Sequence, residues 1–155
     1  MRADVLSHIS RADSLQKLMS EKIGESDTRI QGVFSNHVVL LASGLIELSC
    51  EAALSEYARV RGDVPLSRFV SHSVSRQNSL IIEKIRLLLD KFDRNFYPKI
   101  ESKTSNADRD AVDSLKAIRD KIAHGKSDGT GFSTTSQYYA SAKRFSVVLI
   151  DVVLK

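Results

Sequence analysis

The sequence predicts an all-α fold, an up-and-down bundle of four to six helices that forms a single domain over residues 1–155. Apolar residues recur every three or four positions along most of the chain, which is the spacing of one face of an α-helix. The alternating patterns typical of strands are absent from the sequence, as are internal repeats. Only 2 prolines and 7 glycines interrupt the 155 residues, so long helices can form.

Three helices are predicted in the first half of the chain. The first spans residues 2–23, and a stretch rich in turn-forming residues separates it from the second and longest helix, at 29–61. A Gly-Asp pair ends the second helix. Pro65 then begins a short third helix at 65–72, because proline suits the first turn of a helix.

Three further helices are predicted in the second half. The polar residues 71–79 are expected to connect the third helix to the fourth, for which residues 77–94 carry a dense apolar stripe. Pro98 together with the polar segment 102–106 is expected to separate this helix from the next one. The next helix begins near Ser105, whose hydroxyl can cap its first turn. Serine and threonine at 133–136 offer caps for the final helix.

The composition favours a soluble protein with a modest tilt toward polyanionic partners. The net charge is +4 and the isoelectric point is about 9.3. The single cysteine, Cys50, cannot form an internal disulfide, which fits a reducing compartment, and it lies on a helical pattern as a small core residue. No signal-like apolar core opens the sequence, and no apolar run reaches the roughly 20 residues of a membrane span. We therefore expect a cytoplasmic protein without a membrane partner.

Arg119 and His124 form the candidate catalytic pair, near the end of the helix that begins at Ser105. Five positions separate them by about 140° on an unbroken helix. If the helix tightens or ends at His124, with Gly125 in the left-handed conformation, both side chains could face one groove. A guanidinium suits phosphate oxygens and an imidazole transfers protons near pH 7, as metal-free cleavage of a phosphodiester beside a 2′-hydroxyl requires. The alternative is a cationic turn that stabilises the helix end by roughly a few tenths of a kcal/mol per residue.

The stretch from Arg119 to His124 resembles the signature of the HEPN superfamily, which is an arginine, a polar residue, a short spacer and a histidine. Four residues separate Arg119 from His124, and Asp120 is the polar residue after the arginine. The long helical pattern at 38–61 is similar to that of the RiboL-PSP-like HEPN group. The resemblance covers most of the chain from about Val33 onward.

This resemblance implies a metal-independent endoribonuclease in which the 2′-hydroxyl attacks the adjacent phosphate and leaves a 2′,3′-cyclic phosphate end. His124 would act as general base or acid, Arg119 would hold the scissile phosphate, and Asp120 could orient either of them. Glu47 is a possible supporting residue that could pair with Arg119 or meet the groove. Further candidates for contact with RNA, each of which could equally be an ordinary solvent-facing residue, are Lys116, Lys121, Lys126 and Ser127.

The resemblance also implies partners. HEPN ribonucleases place the motifs of two protomers side by side, so we expect a homodimer with a composite site made of two copies each of Arg119 and His124. Such domains are commonly toxins or effectors of defence systems, which makes an antitoxin or another regulatory protein a possible partner. Two other interpretations stay open: a non-catalytic HEPN module for dimerisation or docking, and a basic helical protein that binds RNA without cleaving it.

No cofactor or structural metal is expected. His8, His37 and His72 are scattered and lack a second ligand at the spacing of a zinc site. The sequence Gly125-Lys126-Ser127 is not a phosphate-binding P-loop, because Asp120 stands where that pattern requires a glycine, and the segment follows a helix where a strand is required.

Overall fold

The computed structural model describes residues 3–22, 27–126 and 129–155. Within these ranges the chain forms seven α-helices and no strand. The all-α prediction is therefore confirmed, whereas the predicted number of four to six helices is too small. The helices are α1 (Ala3–Lys22), α2 (Thr28–Arg61), α3 (Val64–Ser75), α4 (Ile82–Asp90), α5 (Phe96–Lys103), α6 (Asn106–Ala123) and α7 (Phe132–Leu154).

Short-range signals fix several helix starts where they were predicted. Asp63 caps α3, with its carboxylate accepting a hydrogen bond from the backbone of Leu66 at 2.9 Å. Ser105 caps α6 in a capping box in which its hydroxyl accepts from the Asp108 backbone and the Asp108 carboxylate accepts from the Ser105 backbone. For the predicted first helix and the turn after it, residues 2 and 23–26 lie outside the described residues.

The prediction of one helix over 77–94 is wrong at both ends, because α4 covers only Ile82–Asp90. Ile81 has extended dihedral angles, and the backbone of Ile82 donates to Oδ1 of Asp113 on α6 at 2.8 Å. The Asp113 carboxylate thus accepts a hydrogen bond from a backbone N–H at the start of α4 that has no partner within the helix. After Asp90 the chain tightens into a turn, in which the backbone of Phe92 donates to the carbonyl of Leu89 at 2.9 Å.

The stretch around Pro98, predicted to separate two helices, is itself the helix α5 (Phe96–Lys103). Pro98 is the third residue of this helix. The first four backbone N–H groups of a helix have no partner inside it, so a proline there removes no hydrogen bond. The final helix also starts earlier than its predicted caps, at Phe132 after Gly131, and residues 133–136 lie inside it.

Helix α2 lies at the centre of the fold. It packs against α1, α3, α6 and α7, and one apolar core includes residues from all seven helices. By length and composition α2 could cross a membrane, but 67% of its most apolar window is buried inside the protein, as in the core helix of a globular fold. The prediction that Cys50 is a core residue is confirmed, since its side chain is 1% exposed.

Polar contacts hold α1 on the bundle. Nε2 of His8 lies 2.7 Å from the carbonyl oxygen of Leu41 on α2. A Cβ atom at Gly44 would approach the His8 ring to 3.3 Å, so the glycine permits this close packing. His8 is therefore a packing residue. A second polar contact joins α1 to α7, where the hydroxyl of buried Tyr139 donates to Oδ1 of Asp13 at 2.8 Å.

Candidate active site

The end of α6 has the geometry that the sequence predicts. The backbone of Lys126 donates to the carbonyl of Lys121 at 2.9 Å, and that of Gly125 donates to Ile122 at 3.0 Å. Gly125 has a φ of 68°, in the left-handed region. These features define a Schellman motif in which His124 is the C-cap that follows Ala123, the last residue of α6, and the side chain of His124 is exposed.

The helix keeps its regular spacing up to His124. The backbone of His124 donates to the carbonyl of Asp120 at 3.1 Å, which is the ordinary helical hydrogen bond between positions four apart. This hydrogen bond corresponds to the regular helical separation of about 140° between the backbone positions of Arg119 and His124. No contact joins the two side chains in the described part of the protein, and Arg119 is directed toward α2 while His124 faces solvent.

Arg119 is held in a defined position by two residues that are distant in the sequence. Its Nη1 donates to the hydroxyl oxygen of Ser79 at 2.9 Å and lies 3.7 Å from Oε1 of Glu47. The side chains of Arg119 and Glu47 are 31% and 22% exposed. Within the described chain, Nε and Nη2 of Arg119 make no hydrogen bond, so two donor groups of the guanidinium remain for a ligand.

Ser79 connects these groups and is the residue that the sequence analysis missed. Its backbone N–H donates to Oε1 of Glu47 at 2.7 Å, while its hydroxyl accepts from Arg119. Its φ of 55° places it in the left-handed region, which is unusual for a residue with a side chain. Ser79 stood at the overlap between the polar connection predicted at 71–79 and the helix predicted at 77–94. The local signals for a turn were the polar character of that connection and the pair Asn78-Ser79, two residues that favour turns.

A cavity of about 10 Å³ lies beside Arg119, between α2 and α6. Its lining includes Ser43, Glu47, Ser79, Lys116 and Arg119. This volume is at the lower limit for one water molecule. A phosphate group is larger, so it could reach Arg119 only from the exposed side.

Comparison with known families decides what kind of helical protein this is. The RiboL-PSP-HEPN family model matches residues 6–155. The chain belongs to the RiboL-PSP-HEPN family. The predicted resemblance to this HEPN group is thereby confirmed, and the match begins well before Val33. No curated protein and no solved structure is significantly similar to the chain.

Two of the predicted site residues of this HEPN domain are engaged with each other. The ammonium group of Lys116 donates to Oδ2 of Asp120, one turn further along α6. This hydrogen bond, opposed by partial burial and supported by the charges of Lys116, Arg119 and His124, lowers the pKa of Asp120 below its ordinary value. Asp120 is therefore an anion at neutral pH, and it faces Lys116.

The remaining predicted residues of the HEPN domain lie on its exposed surface or outside the described chain. Lys121 and Lys126 are exposed at the end of α6. Ser127, the fourth candidate for contact with RNA, lies outside the described residues. In the described part of the chain, no three His, Cys, Asp or Glu residues form a group suited to a metal ion.

Cys50 lies one turn from Glu47 along α2 and is chemically inert in the fold. Burial, reinforced by the charge of Glu47, raises the pKa of the Cys50 thiol to about 12. A thiol with this pKa is almost entirely protonated at neutral pH, and the thiolate is the nucleophilic form. Cys50 is therefore excluded as the nucleophile of this site.

Proposed function

We propose that this RiboL-PSP-HEPN protein is a metal-independent endoribonuclease that uses Arg119 and His124. The observation that carries the proposal is the position of Arg119, which Ser79 and Glu47 hold half-buried while two of its donor groups remain unused. A guanidinium fixed in this way can bind a phosphate with little further loss of side-chain freedom. Membership of a HEPN family supports the same class of activity.

The proposed reaction is an attack of a ribose 2′-oxygen on the adjacent phosphorus. One imidazole removes the proton of the 2′-hydroxyl, the bond from phosphorus to the 5′-oxygen breaks, and a second imidazole gives that oxygen a proton. The products are a 2′,3′-cyclic phosphate and a 5′-hydroxyl. Arg119 offsets the negative charge that develops on the phosphate oxygens.

A composite site made from two copies of the chain fits the separation of the two side chains. In one chain Arg119 is held against Ser79 and Glu47 while His124 is exposed, and positions five apart on a regular helix are separated by about 140°, so a single chain is poorly arranged to direct both at the same phosphate. A two-fold axis near the end of α6 would set Arg119 of one copy beside His124 of the other, and it would supply the second imidazole. We propose this homodimer as the active form. Exposed Lys126 and Lys121 would then lie near the bound RNA.

The test is cleavage of total cellular RNA in EDTA by the purified wild-type protein and by single variants. We expect His124→Ala to lower the rate by about 10²–10⁴-fold, as loss of acid–base catalysis does. Arg119→Ala should lower it by about 10²–10³-fold through loss of charge stabilisation. Cleavage that requires a divalent metal would contradict the mechanism.

Two matched controls separate catalysis from general damage. His72→Ala removes another exposed histidine, on α3, and Arg86→Ala removes another arginine that is partly exposed and paired with carboxylates. Both variants should cleave RNA like the wild type. Size-exclusion chromatography and thermal melts must give the same oligomer and similar stability for all four variants. If His124→Ala or Arg119→Ala unfolds, that residue is structural and the assignment is wrong.

A second candidate function is a non-catalytic HEPN module that docks onto another protein. The His124 ring makes no hydrogen bond in the described chain, so no group there fixes its orientation or tautomer. On this alternative, Arg119→Ala and His124→Ala would both keep all measurable function. A neutralising or regulatory protein is a reasonable partner on either proposal, as is a role as a toxin or defence effector in the cytoplasm.

A further inference from the structure

An open apolar groove lies between the end of α2, the helix α3 and the end of α4. Its volume is about 550 Å³, which is within the range of protein ligand sites. None of its lining residues belongs to the candidate active site. We call it the α3 groove, and its lining includes Tyr57, Arg61, Leu66, Phe69, Val74 and Lys91.

Helix α3 leaves most of its apolar side chains uncovered. Val74 is its only buried residue, whereas Val64, Leu66 and Phe69 are 63%, 52% and 69% exposed. The apolar surface also continues past the groove to Val60, which is 63% exposed. Exposed apolar surface of this extent, on a helix that packs chiefly on α2, marks an interaction site.

The charge at the groove has one sign. Arg61 and Lys91 are among the lining residues, and no acidic residue is. The guanidinium of Arg61 lies 4.2 Å from the centre of the Tyr57 ring, and neither cation has a carboxylate partner in the described chain. Nearby carboxylates are already engaged, Glu56 with Arg59 at 2.6 Å and Asp63 with the start of α3.

We propose that the α3 groove binds an acidic amphipathic helix of another protein. Apolar side chains of that helix would cover Leu66 and Phe69, and its carboxylates would pair with Arg61 and Lys91. The 12 residues of α3 extend for about 18 Å, which gives room for roughly three turns of a bound helix. Apolar anchors one turn apart are the usual way in which a helix fills such a groove.

Charge and shape favour this occupant over two others. A second copy of the chain would bring Arg61 and Lys91 against the same cations, since a two-fold interface pairs a surface with itself. A membrane surface would meet a convex basic helix, whereas this surface is concave between α3 and α4.

The test uses two fluorescent helical peptides of about 14 residues with leucines one turn apart, one flanked by glutamates and one by lysines. We expect the wild-type protein to bind the glutamate peptide at least about tenfold more tightly in fluorescence anisotropy. The double variant Arg61→Glu/Lys91→Glu should reverse this preference, and Arg11→Glu, at an exposed position of α1, should leave it unchanged.

A second experiment replaces an exposed apolar side chain of the groove by alanine. Phe69→Ala should weaken binding of the glutamate peptide by about tenfold or more, as loss of an aromatic anchor does. Val33→Ala should have no effect, because Val33 is as exposed as Phe69, at 69%, but lies outside the groove. Cleavage of RNA should be unchanged in both variants, which keeps this test separate from that of the ribonuclease.

Four outcomes would overturn the proposal. Equal binding of the two peptides by the wild type would mean unspecific apolar adhesion, and an unchanged preference for the glutamate peptide in the double variant would mean that Arg61 and Lys91 do not recognise it. Self-association of the wild type that Phe69→Ala abolishes would assign the groove to a second copy. Failure of both peptides to bind would also contradict the proposal, and Phe69-dependent binding to phosphatidylglycerol vesicles would then assign the groove to a membrane surface.

Discussion

Arg119 donates a hydrogen bond to Ser79 across 40 residues of sequence, with Nη1 and Oγ 2.9 Å apart. Ser79 adopts a left-handed conformation at this point, a backbone state that costs roughly 1–3 kcal/mol for a residue with a side chain. Both of its polar ends are used, the N–H by Glu47 and the hydroxyl by Arg119. The strained turn and the position of the candidate catalytic arginine are therefore coupled.

We predict that Ser79→Ala and Ser79→Gly differ from each other in stability but lose a similar share of the wild-type activity. Glycine relieves the left-handed strain that alanine retains, so the glycine variant should be more stable than the alanine variant by about 1 kcal/mol in urea unfolding. Both variants lose the hydroxyl that orients Arg119. Both should therefore cleave RNA roughly ten- to hundredfold more slowly than the wild type, with the loss mainly in kcat.

The two variants control for each other. Only Ser79→Gly relieves the backbone strain, whereas both variants remove the hydrogen bond between the Ser79 hydroxyl and Arg119. If activity followed stability, with Ser79→Gly as active as the wild type, Ser79 would act only as a turn residue. The positioning role assigned to its hydroxyl would then be wrong.

Two glycines should respond oppositely to alanine. Gly125 has a φ of 68° and a Cβ there would meet no atom within 4 Å, so Gly125→Ala should cost about 1 kcal/mol through backbone strain alone. Gly32 is inside α2 and a Cβ there also meets nothing, so Gly32→Ala should stabilise by about 0.5–1 kcal/mol. Thermal unfolding of both variants measures this, and a stabilising Gly125→Ala would contradict the left-handed end of α6.

We predict that Asp108 makes the free energy of unfolding fall as the pH is lowered into the acid range. Burial raises the pKa of its carboxyl, but hydrogen bonds from Arg144 and Ser105 outweigh burial and lower the pKa below its ordinary value. The stabilisation is therefore present above the ordinary pKa of about 3.9 and is lost as pH falls through the lower pKa of the folded state.

The corresponding variant is Asp108→Asn, which should cost about 1–2 kcal/mol at pH 7 by weakening the capping box and the ion pair with Arg144. The decline of its stability between about pH 5 and pH 2 should also be shallower than that of the wild type, measured by unfolding at each pH. Asp110→Asn, on the exposed side of the same helix, should behave like the wild type. An unchanged pH profile for Asp108→Asn would disprove the linkage.

The sequence was a good guide where local signals determine structure. The periodicity of apolar residues located α1, α2, α3 and α6 to within about three residues, and Gly125 marked the end of α6. The sequence-based predictions were wrong or incomplete where contacts between residues far apart in the chain determine the local backbone. The start of α4 depends on Asp113 of α6, and the turn at Ser79 depends on Glu47 and Arg119, which no local pattern discloses.

The candidate site shows the same division. Arg119 and His124 could be selected from the sequence because their types and spacing suit phosphodiester chemistry. The residues that hold Arg119 could not be selected reliably from the sequence, since Glu47 is 72 positions away and Ser79 is one of many polar residues in the predicted connection at 71–79. Likewise, the pairing of Lys116 with Asp120 becomes clear only from the side-chain geometry.

Analysis of the RNA ends produced in EDTA tests the ribonuclease proposal most directly. The substrates are one RNA oligonucleotide and its fully 2′-O-methylated counterpart, incubated with wild-type protein, His124→Ala and His72→Ala. We expect the wild type and His72→Ala to cut only the unmodified RNA, leaving 2′,3′-cyclic phosphate and 5′-hydroxyl ends, and we expect His124→Ala to cut it at least about 100-fold more slowly. Fragments with 5′-phosphate ends, cleavage of the methylated RNA, or cleavage by His124→Ala equal to that of the wild type would contradict the proposed chemistry.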